Sequence, residues 1–171
     1  LDLEAGFDKF DLAPFGPLLG SVLSDVRGNA TGRATIAGSL SEPEIDGRLY
    51  LNDAGMRVPY LNVDYAFEKN AIIDVTEHQF SFRKVEVSDT KYDTKGVLDG
   101  SIRHKKFGDW QLDLHLDSNN ILALDTEDNE DAYYYGTAFM KGKASITGSV
   151  DALNIKVAGE SEKGTSIKIP I

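Results

Sequence analysis

The chain has 171 residues, of which 41% are hydrophobic and 27% charged, enough for one apolar core beneath an ordinary polar surface. Its formal net charge of −10 is expected to repel nucleic acids and anionic lipid headgroups, and we identify no basic stripe of the kind that phosphate binding needs. Because it contains no cysteine, disulfides, thiolate nucleophiles and Cys-type zinc sites are excluded. We therefore predict one domain over residues 1–171, with no nucleic-acid partner.

The chain opens with a predicted strand and then a predicted helix. Leu1, Leu3, Ala5 and Phe7 share one parity, and acidic residues occupy the other. After Pro17, apolar residues fall at helical spacing, and proline suits the first position of a helix. These residues are Leu18, Leu19, Val22, Leu23 and Val26. We predict a short amphipathic helix near residues 17–25 that covers an apolar edge or end of a sheet.

Strict alternation of apolar and polar residues returns along the rest of the chain and predicts strands. Its clearest runs are Ile45/Leu49/Leu51, Leu61/Val63/Tyr65/Phe67, Trp110/Leu112/Leu114/Leu116, Leu153/Ile155/Val157 and Ile167/Ile169/Ile171. Polar segments at 52–55, 69–70 and 117–120 have the composition of hairpin links. Counting the runs gives ten or eleven strands.

One change of parity inside a run predicts a β-bulge. Phe80 and Phe82 set one parity, whereas Val85 and Val87 set the other. An extra residue at Arg83-Lys84 would return all four side chains to one face. The fold class we predict is all-β: a curled, U-shaped, mostly antiparallel or mixed sheet of about ten strands, with an apolar inner groove and one short helix.

The apolar parity of these strands is the candidate binding surface. We predict that it lines a groove for an apolar ligand. The predicted lining residues are Leu49, Leu51, Leu61, Val63, Tyr65, Phe67, Phe80, Phe82, Leu98, Ile102, Trp110, Leu112, Leu114, Leu116, Met140, Ile146, Leu153, Ile155, Val157, Ile167 and Ile169. Glycines Gly38, Gly47, Gly100, Gly142 and Gly148 share this parity, and mark either curvature of the sheet or space left for the ligand.

The sequence offers no catalytic signature, and we expect no enzyme, no cofactor and no catalytic residue. His78, His104 and His115 do not show the spacing of a metal or catalytic site, and are interpreted as exposed histidines. The acidic run 125–131 lacks the glycine-centred spacing of a calcium loop, so a solvated loop is favoured over a calcium site.

Several phrases of the chain resemble the C-terminal region of the TamB family of Gram-negative envelope proteins. They are strand-and-turn phrases, distributed over most of the chain. They comprise Gly38–Leu49, Val58–Val63, Tyr134-Tyr135-Gly136 and Gly164–Pro170. The proline before Leu61-Asn62 and the aromatic-rich phrasing are similar to versions from Bacteroidetes-type organisms.

The resemblance implies a location and partners. Members of the family are held in the inner membrane by an N-terminal helix and cross the periplasm as a long β-sheet with a hydrophobic groove. The implied ligand is a phospholipid or fatty-acyl chain. The implied protein partners are an outer-membrane barrel of the TamA/BamA type and the remaining segments of a longer parent chain. We therefore expect a periplasmic fragment of an inner-membrane-anchored protein whose anchor lies outside this sequence.

Three functions remain open at this point. The first is a lipid-conducting segment that also supports outer-membrane protein assembly. The second is an assembly module that pairs with barrel strands without conducting lipid. The third is a closed structural β-sandwich. An accessible apolar face separates the first from the third.

Overall fold

The chain forms one antiparallel sheet of eleven strands. The computed structural model describes residues 2–20, 22–39, 41–129 and 131–170; Leu1, Ser21, Leu40, Glu130 and Ile171 lie outside the described residues, as do the side chains of Leu18 and Leu19. The strands are β1 (Asp2–Asp11), β2 (Ser24–Gly38), β3 (Pro43–Val58), β4 (Val63–Phe67), β5 (Ala71–Thr76), β6 (Gln79–Asp89), β7 (Lys95–Lys105), β8 (Gly108–Thr126), β9 (Tyr135–Ser149), β10 (Ala152–Ser161) and β11 (Ser166–Lys168). The all-β prediction and the number of strands are confirmed. Within the described ranges, no helix is long and apolar enough to cross a membrane.

The order of strands in the sheet follows their order in the chain. β4 and β5 both pair antiparallel with β3, so they run in the same direction and share one position in the sheet. β10 and β11 likewise both pair with β9. The sheet is therefore a meander of nine strand positions that begins at β1 and ends at β10. All described strands belong to this one sheet, which differs from the two-sheet sandwich that the sequence left open.

The predicted amphipathic helix at residues 17–25 is wrong in both type and position. A 3-10 helix spans Ala13–Leu19, and β2 already begins at Ser24. Pro14 and Pro17 lie in this segment and lack the N–H groups that a continuing α-helix needs. The segment sits beside β2, where the Leu12 N–H donates to the Gly28 carbonyl at 3.0 Å.

The predicted bulge in β6 is confirmed. Phe82 pairs with Gly100 and Val85 pairs with Leu98, so β6 has one residue more than β7 across this step. Lys84 adopts a φ of 51°. Phe82 and Val85 are 8% and 1% exposed, which shows that both reach the same apolar face.

The three predicted hairpin links are wrong, and each is an irregularity inside a longer strand position. Residues 52–55 lie within β3 and residues 117–120 within β8, where the register shifts by one residue. Residues 69–70 form a turn between β4 and β5, two strands that run in the same direction. A bulge leaves its extra residue unpaired and bends the strand. The bent backbone favours the polar residues that tolerate positive φ, and turns favour the same residues.

Candidate functional site

Two continuous apolar rows cross the sheet at right angles to its strands. Each row has one residue from each of the nine strand positions, and every member is apolar or glycine. The first row is Ala5, Ala34, Gly47, Val75, Phe80, Ile102, Leu112, Gly148 and Leu153. The second row is Phe7, Gly32, Leu49, Ile73, Phe82, Gly100, Leu114, Ile146 and Ile155.

The rows are long enough to contact an extended apolar ligand along much of its length. Neighbouring strands lie about 4.8 Å apart, so eight steps between nine strand positions give a continuous apolar path of roughly 38 Å. A third row runs parallel to them in two pieces. It consists of Phe10, Ala30, Leu51 and Ala71, then Val85, Leu98, Leu116, Ala144 and Val157. No charged residue interrupts any of the three rows.

The opposite face of the same strands is polar. Between the first two apolar rows, the paired residues that point the other way contain no apolar side chain. They are Gly6, Arg33, Arg48, Asp74, Ser81, Ser101, Asp113, Thr147 and Asn154. Arg48 Nε lies 2.8 Å from Asp74 Oδ1, and Arg83 Nε lies 2.6 Å from Asp74 Oδ2. This separation of polar and apolar faces follows from the period-2 geometry of extended chain.

Burial of the predicted lining residues changes along the sheet. Eight are buried: Leu51, Val63, Tyr65, Phe82, Leu98, Trp110, Leu112 and Met140. Nine are half-buried: Leu49, Leu61, Phe67, Phe80, Ile102, Leu114, Leu116, Ile146 and Leu153. Four, all on the last strand position or just after it, are exposed: Ile155, Val157, Ile167 and Ile169. The apolar face is thus filled by its own side chains around β4–β8 and accessible at β10–β11.

Sequence reasoning missed part of the rows. Ile73 and Val75 lie on β5, and their parity was hidden because Ile72 is apolar as well. Gly47, Gly100 and Gly148 share the apolar parity of the sequence, and the register puts each of them in a row. The parity of these glycines could therefore be read from the sequence, whereas the register that aligns them with residues of other strands could not.

One end of the sheet is closed by contacts that β8 makes with β4 and with the turn before β4, although β4 and β8 are not neighbours in the sheet. The Tyr65 hydroxyl of β4 donates to the Leu122 carbonyl of β8 at 2.7 Å, and the Asp125 N–H donates to the Leu61 carbonyl at 2.9 Å. Burial raises the pKa of the Tyr65 hydroxyl, and the charge of Asp89 raises it further. The phenol therefore stays protonated and keeps its role as a donor in this closure.

An open concavity of about 1500 Å³ lies over β6–β10. Twelve of its eighteen lining residues are polar or ionisable, and Leu116 and Val157 are the predicted lining residues that reach it. Its ionisable lining residues are Lys84, Glu86, Lys95, Asp99, His115, Asp117, Lys143 and Lys156. Lys95 pairs with Glu86 at 2.8 Å, which offsets part of the positive charge.

His104 is not the exposed histidine that the sequence indicated. It is 6% exposed, and its ring stacks on Phe107 with centroids 4.6 Å apart and packs against Trp110 at 5.1 Å. Burial lowers the pKa of His104, and the nearby His78 lowers it further. The error arises because the aromatic partners of His104 are assembled by the hairpin between β7 and β8. His78 and His115 are exposed, as predicted, and His115 lies 2.9 Å from Asp113.

Asp125, the first residue of the acidic segment 125–131, has hydrogen-bond partners within the chain. Asp125 accepts hydrogen bonds from Lys91 Nζ at 2.5 Å and from Thr137 Oγ1 at 2.8 Å. The described part of the chain, which leaves out Glu130 of this segment, holds no group of three or more side chains arranged to bind a metal ion. The preference for a solvated loop therefore stays a prediction.

The described strands thus form one antiparallel meander with a continuous apolar face, which defines an all-β protein built from a single extended sheet. The sequence model of the TamB C-terminal domain family matches residues 83–171, a little more than half of the chain. The chain belongs to this family and is a segment of a TamB-like envelope protein, which confirms the resemblance. No curated protein and no solved structure matches the chain.

Proposed function

We propose that this chain is a non-enzymatic segment of a periplasmic, inner-membrane-anchored protein, and that its apolar face carries phospholipid or fatty-acyl chains between the inner and outer membranes. The observation that carries the proposal is the pair of uninterrupted apolar rows across nine strand positions. The rows run in the direction in which a longer parent sheet adds strands, so further segments would extend the same path. The bulges that flank the third row support a curled sheet, because each of them bends its strand.

The chemistry of an acyl chain fits this surface. An acyl chain needs no directed hydrogen bonds, and its transfer from water to an apolar surface is worth about 0.8 kcal/mol per methylene. Around β4–β8 the side chains cover the face, so passage requires them to separate. At β10, Ile155 and Val157 are 51% and 62% exposed and are available to a ligand in the structure as it stands.

The test is retention of lipid by the gently purified chain. We expect native mass spectrometry to detect a bound phospholipid or fatty acid, and we expect Ile155→Asp to reduce its occupancy at least about threefold, because a carboxylate would interrupt the second row where it is accessible. Lipid extraction identifies the species. Since Ile155 is half exposed already, the substitution removes little core packing.

Asn154→Asp is the matched control. It adds the same charge to the neighbouring position of β10, but on the polar face. Equal lipid loss in both variants, or a purified chain free of lipid that also takes up no fluorescent fatty acid, would contradict the proposed lipid function.

A second candidate, assembly of outer-membrane barrels by strand pairing, is favoured by the two ends of the sheet. β1 pairs with β2 alone and β10 with β9 alone, so each has an unpaired backbone edge among the described residues. Such an edge accepts a strand from another chain through main-chain hydrogen bonds. The partner would be a barrel of the TamA/BamA type or a neighbouring segment of the parent.

This second candidate predicts a specific crosslinking pattern in cells. A photocrosslinking residue at Lys156 on edge strand β10 should capture an outer-membrane barrel protein. The same residue at Asp99, which is exposed on interior strand β7, should not. Capture from both positions, or from neither, would count against strand pairing.

A further inference from the structure

The hairpin between β7 and β8 carries a cluster of positive charge in an acidic chain. Arg103, Lys105 and Lys106 lie within four residues, whereas the whole chain has a formal net charge of −10. All three are exposed, and none forms an ion pair or a side-chain hydrogen bond with any other residue that the structure describes. Asp109, also exposed, is the acidic residue closest to them in sequence. The hairpin therefore has a local net positive charge, and none of its three cations forms an ion pair with a carboxylate that the structure describes.

The backbone conformation of this hairpin's turn is unfavourable for the residue types that occupy it. Lys105 pairs with Gly108, so Lys106 and Phe107 form a two-residue loop. Their φ angles are 51° and 58°, in the left-handed region that two-residue hairpins normally fill with Asn-Gly. A cation and an aromatic ring thus occupy positions where smaller residues would fold with less strain, which points to a role for the two side chains.

The aromatic ring at the tip is held in place although it is exposed. Phe107 is 55% exposed, and its ring stacks on the buried ring of His104 with an angle of 13° between the planes. The Phe107 N–H donates to His104 Nδ1 at 3.2 Å. His104 packs in turn against Trp110 and Phe80. The tip is therefore a pre-arranged unit with cations around a projecting apolar ring.

We propose that this hairpin tip docks on an anionic phospholipid bilayer, with Phe107 at the level of the headgroups and Arg103, Lys105 and Lys106 against lipid phosphates. Cations beside an exposed aromatic ring are the combination that binds such an interface. An acidic peptide would satisfy the cations but would leave Phe107 in water. The acidic remainder of the chain is repelled by the same surface, so contact through the tip is favoured over contact through other faces. Phe107 and the three cations are not members of the apolar rows, although His104 beneath Phe107 packs against Phe80 of the first row.

The experiment is co-sedimentation of the chain with vesicles of phosphatidylcholine alone or with 30% phosphatidylglycerol. The wild-type chain should bind the mixed vesicles and not the neutral ones. Removing the three charges in R103Q/K105Q/K106Q should weaken binding at least about tenfold. Trp110, the one tryptophan of the chain, lies behind the tip, so its emission provides a second readout of docking.

Two further variants separate docking from folding. K106N/F107G gives the turn its preferred sequence, so it should melt at the same or a higher temperature and yet lose vesicle binding. The control K141Q/K156Q/K163Q removes three exposed lysines outside the hairpin and should bind within about twofold of wild type. Equal binding to neutral and anionic vesicles, no binding to either, unchanged binding of K106N/F107G, or equal loss in the control would overturn the proposal. None of these results bears on lipid carriage, which is measured by bound lipid without vesicles.

Discussion

Replacing Asp89 with alanine is expected to lower the free energy of unfolding by about 3 kcal/mol or more, a large part of the stability of a domain this size. Asp89 is 1% exposed, and its carboxylate accepts hydrogen bonds from the backbone N–H groups of Lys91, Tyr92 and Thr94 at 3.0, 2.6 and 2.8 Å. Alanine would leave these donors without their acceptor next to the core.

The effect should reach beyond the loop that Asp89 organises. The Thr94 hydroxyl donates to Asp89 and accepts from the Leu122 N–H at 2.7 Å, so it links the loop to the part of β8 that closes this end of the sheet. Leu122 is 1% exposed and belongs to the core. Loss of the carboxylate should therefore loosen β8 against β4 as well as the loop.

Urea denaturation followed by circular dichroism measures the change in stability. Asp89→Asn keeps one acceptor oxygen and should lose roughly half as much as alanine. Asp151→Ala removes an exposed carboxylate that has no side-chain hydrogen bond to any residue that the structure describes, and it should change stability by about 0.5 kcal/mol at most. If Asp89→Ala unfolded at the wild-type urea concentration, the hydrogen bonds of this carboxylate would not be a main support of the closed end.

The features that were predicted best from the sequence are those that depend only on the alternation of residues along a strand. Alternation assigns side chains to a face without any knowledge of neighbouring strands, because successive residues of extended chain point in opposite directions. The bulge at Arg83-Lys84 was predictable for the same reason, since one extra residue in a strand reverses the parity of every residue that follows it. The residues of the two apolar rows were therefore largely identifiable, although their alignment into rows was not.

What could not be predicted depends on residues distant in sequence. Asp53 and Asn70 have φ angles of 50° and 59°, and the same residue types and angles serve a hairpin or a bulge. Only the partner strand decides between the two. His104 is similar, because its burial comes from Phe80, 24 positions earlier in the sequence, and from the hairpin that places Phe107 and Trp110 over its ring.

Gly100→Ala is expected to cost roughly 2–5 kcal/mol of stability, from backbone strain together with overpacking. Gly100 has a φ of 122°, which side-chain-bearing residues rarely adopt. A Cβ atom there would lie 2.1 Å from the carbonyl oxygen of Asp113, on the paired strand β8. Because the obstructing atom is backbone, relief requires β7 and β8 to move apart.

Gly6→Ala is the matched control, since a Cβ atom at Gly6 would meet no atom within 4 Å. This variant should unfold within about 0.5 kcal/mol of wild type, whereas Gly100→Ala should unfold at a clearly lower urea concentration. Stability and bound lipid, measured together, distinguish two roles for Gly100, which are to shape the sheet and to leave space for a ligand. If Gly100→Ala kept wild-type stability but lost bound lipid, the glycine would reserve space for a ligand. The distance of 2.1 Å between a Cβ atom at position 100 and the Asp113 carbonyl oxygen favours the role in shaping the sheet. Without a side chain at Gly100, β7 and β8 can pair closely within the second row.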